Sequence, residues 1–166
     1  PFAQMSEAAG GMLTGDSILF VDGFDRALKI PDKGYPGMSL QKTESEKAIR
    51  GSNEGFGDSI KQNTALIRKR LRSVDLKVAE CKCGRRTGTN VDIMYLDGIV
   101  RPEIVTQMQQ RLAAFEIDGI GDSGVIEQLT ETQWFSPFPQ YQTTRRPDRA
   151  VMALLEGRAV LLADNS

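Results

Sequence analysis

The sequence contains no histidine, which removes the commonest metal ligand and the one side chain that titrates near neutral pH without perturbation. Zinc-hydrolase, Ser-His-Asp and Cys-His chemistries fall with it. Cysteine is scarce: Cys81 and Cys83, one residue apart, are too few for a disulfide framework or a four-ligand zinc site, and they read as reduced thiols packed in a strand. Long hydrophobic runs are missing as well. A spanning helix needs about 20 consecutive apolar residues, and apolar stretches such as residues 18–21 and 159–163 fall well short. The start, Pro1-Phe2-Ala3-Gln4, has no initiator Met and none of the basic and apolar regions of a secretory signal, so the chain is expected to be a fragment of something longer. Neither sign of charge is in excess: 21 Lys plus Arg oppose 22 Asp plus Glu, a formal net charge of -1. Attraction to nucleic acid or anionic lipid must therefore be local.

What is present is a globular composition, 166 residues of which 40% are hydrophobic. Such a length suits one domain or two small lobes and buries roughly 68–70% of its unfolded surface, enough for a core without disulfides or metal. One internal echo organises the chain. Residues 13–23 and 155–165 share Leu-x-Gly, an apolar run and a closing Asp-Gly or Asp-Asn, and both read as short strands buried on both faces. They are expected to lie in one sheet, with residues 27–30 returning as a hairpin partner. Residues 31–57, rich in Gly, Pro and charge, read as a connector between lobes with one helical turn around 45–49.

From Asp58 the pattern is helical. Ile60, Thr64, Ile67, Leu71 and Val74 form one stripe, Asp58 or Ser59 can cap the start, and Arg68, Lys69, Arg70 and Arg72 gather where cations complement the helix dipole. Alternation then gives two strands, around 76–79 and 91–95, joined through 84–88. Pro102 opens a helix burying Val105, Met108, Leu112 and Phe115, and Asp122-Ser123 caps a short one with Val125, Ile126 and Leu129 inward. The segment Trp134-Phe135-Ser136-Pro137-Phe138-Pro139 cannot be regular and reads as packed aromatics where lobes meet. A last helix from Pro147 carries Val151, Leu154 and Leu155 inward, stops at Gly157 and returns the chain to the first sheet. The expected architecture is α/β in two small lobes, each a short mixed β-sheet packed with helices, the first lobe discontinuous. Its parts are an unstructured or truncated start (1–11), a first lobe from 12–30 and 140–166, a connector (31–57) and a second α/β lobe (58–139).

Three chemical signals have plainer readings. The basic run of residues 68–72, with Arg85 and Arg86, resembles a phosphate-binding surface but lacks an aromatic platform, so a solvated helix face is preferred and no nucleic acid is expected. The glycines of residues 51–57 precede a helix as in phosphate loops, without the Gly-Lys-Ser/Thr ending. Asp22 and Asp164, at equivalent ends of the echoing strands, could pair, but no third positioned group accompanies them and turn chemistry is the simpler account.

Three separated motifs carry a resemblance: Ala48-Ile49-Arg50-Gly51-Ser52-Asn53-Glu54-Gly55-Phe56, Asn63-Thr64-Ala65-Leu66-Ile67-Arg68-Lys69-Arg70-Leu71-Arg72, and Ser136-Pro137-Phe138-Pro139-Gln140 with Thr143-Thr144-Arg145-Arg146-Pro147-Asp148-Arg149. Together with residues 15–23 and 154–166, and in this order, they resemble the A subunit of GerA-family spore germination receptors. The related stage V sporulation protein AF usually has Arg-Ala-Asp where Arg146-Pro147-Asp148 stands and is the poorer match. The resemblance implies the amino-terminal soluble portion of a spore inner-membrane protein, two α/β subdomains on the cytoplasmic side, with transmembrane helices in a segment absent from this chain. It further implies other A subunits and the B and C subunits as partners, nutrient-triggered ion release, no cofactor, no metal and no catalysis.

Two departures from the family pattern stand out. Arg145 replaces a usual Glu in the first turn of the last helix, where a compensating carboxylate is expected, and Cys83 stands as a small apolar replacement. The resemblance implies that the family's earlier N-terminal part is missing or reduced to residues 1–11, so the first lobe is expected to be partly open. Arg50, Glu54, Arg68, Arg70, Arg146 and Asp148 are the candidate inter-lobe or subunit contacts, since fixed charges beside joints and helix starts set orientation through bidentate pairs. The alternative is a small-ligand sensor with a cleft between the two lobes.

Overall fold

The computed structural model describes residues 4–31, 54–114, 118, 123–131, 137 and 139–164. In chain order these form α1 (Met5–Leu13), β1 (Ser17–Leu19), β2 (Leu28–Ile30), α2 (Ile60–Arg70), β3 (Leu76–Cys83), β4 (Thr89–Leu96), α3 (Pro102–Ala114), α4 (Ser123–Thr130), α5 (Pro147–Leu155) and β5 (Val160–Ala163). The architecture is α/β with two small sheets, each packed with helices; the first is built of two separate short strands. Among the described residues each strand pair is antiparallel.

The three-stranded sheet, in order β3-β4-β5, carries the core on both faces. Alternation along β4 sends Val91 and Ile93 to one side, where Val105 and Leu112 of α3 and Ile126 of α4 meet them. Met94 and Leu96 point to the other, against Ile60 and Ile67 of α2 and Ala150 and Leu154 of α5. A strand with a period of two and helices on both sides must be apolar at nearly every position, and from Val91 to Leu96 β4 is interrupted only by Asp92. Cys83 is buried in this core beside Leu112, its thiol 3.6 Å from that residue's carbonyl oxygen. Burial pushes both thiols above the usual cysteine range, so neither is an activated nucleophile.

The echo between the two ends of the chain does not place them in one sheet. β5 pairs with β4, Val91 opposite Ala163 and Met94 opposite Val160, while β1 pairs with β2, Ser17 opposite Ile30. The last helix therefore returns the chain to the second sheet, and α5 and β5 pack there instead of with residues 12–30. The shared motif encodes a turn-bounded strand in both places, but pairing is decided by what each strand can bury. Leu161 and Leu162 of β5 meet the two opposite core clusters. Leu19, Phe20, Val21, Leu28 and Ile30 instead remain exposed, so β1 is not the doubly buried strand its run of apolar residues suggests.

The start is not unstructured, since α1 covers Met5–Leu13 and buries Ala8 and Gly11. Lys29 joins β2 to the turn after this helix through a 2.6 Å ion pair with the buried carboxylate of Asp16, which also accepts from the Thr14 hydroxyl at 3.0 Å. A two-stranded ribbon is marginal alone, and this pair and α1 support it.

α2 follows its stripe closely: Ile60, Leu66 and Ile67 are buried, Leu71 packs at the cluster's edge and Val74 is exposed. In α5 Leu154 is fully buried, whereas Leu155, expected inward, is exposed one residue round the helix. Gly157 ends that helix with φ +83, and a Cβ there would stand 3.2 Å from the Ile99 carbonyl oxygen, so both backbone conformation and space require glycine. The expected turn at 45–49, Phe115, the Leu129 side chain and most of the aromatic segment 134–138 lie outside the described residues.

Candidate functional site

The N-terminus of α2 is held from both ends of the chain's second unit. Ser59 occupies the N-cap with extended backbone but makes no side-chain cap, and Asp58 is exposed. The cap comes instead from Asp164, at the end of β5, whose Oδ1 accepts from the Ile60 amide at 3.2 Å. Asn63, buried one turn in, accepts from the Gly57 amide at 2.9 Å and donates to the Gly57 carbonyl at 2.6 Å. The segment 54–57 thus lies along α2, and Phe56 donates its amide to the Arg145 carbonyl at 2.9 Å. The Phe56, Gly57 and Ile60 amides are thus committed to the protein's own acceptors and are not open to a phosphate. Asp164 and Asp22 do not meet: one caps a helix on the larger sheet, and the other lies in the exposed turn of the smaller one.

Two charge clamps sit on this scaffold. Glu54 binds Lys69 at 3.0 Å and Arg70 at 2.5 Å, both in the last turn of α2. The hydrogen bond from Lys69, with the Arg70 guanidinium beside it, holds the Glu54 carboxyl below the usual carboxylate range against the opposing effect of burial. Arg146, the N-cap of α5, makes a bidentate pair with Asp148 in the first turn, Nε to Oδ1 at 3.1 Å and Nη2 to Oδ2 at 2.6 Å. That hydrogen-bonded pair lowers the Asp148 pKa, and a carboxylate there suits the positive helix end. Glu54 is thus joined with Arg70, and Arg146 with Asp148, while Arg50 lies outside the described residues. Arg68 differs from all of these: it is exposed and has no ion-pair partner among the described residues. Arg145 precedes the N-cap, is exposed, and likewise has no carboxylate partner among the described residues, so the expected compensation is not found there. Because it stands outside the helix, the dipole conflict that called for it is weaker.

Sequence reasoning missed Asn63 and Asp92. The signal for Asn63 was available, since an amide on an otherwise apolar helix face must be paired when buried. Asp92 lies in central β4, directly opposite Glu80, and accepts from the Thr64 hydroxyl at 3.1 Å. Burial raises its pKa, and the nearby Glu80 and Asp164 carboxylates add to the rise, opposed by the Thr64 hydrogen bond and by Arg68. A folded-state pKa above the unfolded one means that ionisation costs stability as pH rises through the folded value. Asp92→Asn keeps an acceptor for Thr64 and removes the charge. It should raise stability at pH 7 by about 0.5–1 kcal/mol, the scale of a cross-strand charge pair, and the gain should vanish below the usual carboxylate range. Urea titrations of both proteins at pH 7 and pH 3.5 read this difference; an equal gain at both values would remove the electrostatic cause.

No group of three or more His, Cys, Asp or Glu side chains among the described residues is placed to hold a metal. An open hollow on α3 is lined by Gln107, Gln110, Arg111 and Ala114, without the apolar enclosure of a small-ligand pocket. No helix among the described residues is long and apolar enough to cross a membrane. The fold and its clamps define a class, a helix-covered α/β domain whose fixed charges orient its own segments.

The chain belongs to the GerA family: the family model described as Bacillus/Clostridium GerA spore germination protein matches residues 1–166. It is 39% identical over 163 residues to the uncharacterized membrane protein YfkQ of Bacillus subtilis, covering 98% of this chain and 32% of that protein. With spore germination protein KA of Bacillus subtilis it shares 35% identity over 155 residues, 93% of this chain and 28% of that protein. The crystal structure of the N-terminal domain of the A subunit of the Bacillus megaterium spore germinant receptor GerK3 matches with a TM-score of 0.69 at 34% identity, over 97% of this chain and 56% of that one. The chain spans about a third of the length of the curated relatives it matches.

Proposed function

We propose that this chain is the amino-terminal regulatory and assembly domain of a germinant-receptor A subunit, acting in spore germination signalling and ion release through a membrane complex. The observation that carries the reading is the likeness, at 34% identity over 97% of the chain, to the N-terminal domain of a receptor A subunit. In this reading the domain performs no catalysis. It faces the spore core at the inner membrane, is joined to the membrane through a segment outside this chain, and contacts other A subunits and the B and C subunits. The α3 hollow is lined by residues of one helix and does not lie between two lobes, so it is not the cleft that the alternative, a small-ligand sensor, calls for.

Within this reading the candidate charges divide by role. Glu54, Arg70, Arg146 and Asp148 fix the domain's own loop and helix start, and Arg68 is the cation turned outward. Exposed charges contribute roughly 0–1 kcal/mol to a fold. Arg68→Ala should therefore leave the melting temperature nearly unchanged while slowing nutrient-triggered germination of spores that carry it. Arg70→Ala should lower the melting temperature, because it strips a partly buried carboxylate of one of its two cations. Melting curves beside germination assays of the same two variants separate the roles; normal germination with Arg68→Ala would remove Arg68 from the contact surface.

A further inference from the structure

The β3–β4 hairpin has two electrically different ends. At its tip, residues 82–90 contain Lys82, Arg85 and Arg86 and no acidic residue, and all three cations are exposed. The tip closes through the Gly88 amide on the Gly84 carbonyl at 3.1 Å. Among the described residues Arg86 has one carboxylate beside it, Asp118 at 3.4 Å with both side chains largely exposed, and the Arg86 and Thr87 amides donate to the Asp118 carbonyl at 3.0 and 3.1 Å. The opposite end is mixed in charge: Asp75 and Asp97, whose backbones are hydrogen-bonded at 2.9 Å, stand among the exposed Arg72, Lys77 and Arg101.

The direction of β5 selects between these ends. It runs antiparallel to β4, from Val160 opposite Met94 to Ala163 opposite Val91, and the Asp164 amide donates to the Asn90 carbonyl at 3.0 Å. The last described residue, Asp164, therefore lies at the end of the sheet that carries the basic tip. Lys61, exposed in the first turn of the helix that Asp164 caps, stands on the same side. The Asp164 carboxylate is occupied by that cap.

We infer that the β3–β4 tip, through Arg85 and Arg86 with Lys82, is a membrane-facing surface that binds anionic lipid headgroups and sets the tilt of the domain against the bilayer. This rests on the reading that the domain is joined to a membrane by chain that follows β5. Basic groups held next to an anionic leaflet gain about fivefold in association each, an effect that is screened by salt. Guanidinium groups pair bidentately with phosphate, which suits Arg at the two outermost positions. Removing both arginines should weaken the contact about 25-fold.

The test uses the full-length protein reconstituted in vesicles, with a fluorescent amino acid incorporated at position 87 or, as the control, at position 97. The vesicles are pure phosphatidylcholine or contain phosphatidylglycerol, and both carry a trace of headgroup-nitroxide lipid as quencher. The expected result is quenching at 87 and not at 97, strong with phosphatidylglycerol, weak without it, and lost in Arg85→Gln/Arg86→Gln and at raised salt. Equal quenching at the two positions, or quenching at 87 that ignores lipid charge and the double substitution, overturns the headgroup surface while leaving the membrane reading intact. A full-length protein that does not enter the vesicles at all overturns the membrane reading, and this inference with it.

Discussion

Ile67→Ala is expected to lower the unfolding free energy by about 2–5 kcal/mol, the usual cost of deleting a buried aliphatic side chain to Cβ. Ile67 is fully buried in the centre of α2 and belongs to the cluster that also holds Met94 and Leu96 of β4, Leu154 of α5 and Leu162 of β5. The elements β4, α5 and β5 share that cluster with α2, and all are tied by sheet or helix hydrogen bonds, so the space left by truncation cannot easily collapse. The upper half of the range follows from that rigidity. A loss of this size is a large fraction of a typical domain's 5–15 kcal/mol. Urea denaturation of the two proteins gives the difference directly; a loss below 1 kcal/mol would mean that α2 does not dock on the sheet as described.

Asn63→Ala should cost about 2–4 kcal/mol, although it removes only a small polar side chain. The amide accepts from and donates to the same residue, Gly57, and so closes the loop before α2 in the way a paired strand would. Its deletion leaves an N–H and a carbonyl without partners, each worth about 1–3 kcal/mol when out of water. Gly57 is only partly buried, so water recovers some of that loss. Asn63→Asp is the informative companion, because it retains the acceptor for the Gly57 amide but places a carboxylate against the Gly57 carbonyl. It should be at least as destabilising as alanine at pH 7 and should recover in acid, once protonation restores a donor. Thermal melts of the three proteins at pH 7 and pH 3.5 check the order; a harmless Asn63→Ala would show that the Gly57 pair does not hold the loop.

Much of the larger unit was legible because its signals are local. The stripe of α2, the alternation in β3 and β4, Pro102 and Pro147 at helix starts and Gly157 at a helix end each follow from periodicity or backbone chemistry within a few residues. Strand pairing is not local. Leu-x-Gly followed by an apolar run describes β1 and β5 equally well, and only the apolar faces of β4 decide that β5 belongs beside it. The cap of α2 escaped for the same reason, since Asp164 lies 104 residues from Ile60. At the charged site, sequence offered Glu54, Arg70, Arg146 and Asp148 as inter-lobe or subunit contacts; in the structure Glu54 pairs with Arg70 in the last turn of α2 and Arg146 with Asp148 at the start of α5, both within this chain. Sequence did not distinguish cations that hold their own fold from one turned outward, because that depends on which carboxylate lies across the loop.

The measurement that bears most directly on the domain's proposed role is the isolation of the tagged full-length protein from spore membranes, with wild-type Arg68 and with Arg68→Glu, followed by identification of the subunits that come with it. The outward face of α2 as an assembly surface predicts that A-, B- and C-type receptor subunits accompany the wild-type protein and are depleted from Arg68→Glu, while the membrane content of the variant stays unchanged and its melting temperature falls only by the small amount that a reversed exposed charge near Asp92 costs. Wild-type protein that comes out of the membrane without receptor subunits, or an Arg68→Glu variant that retains them all, would contradict it.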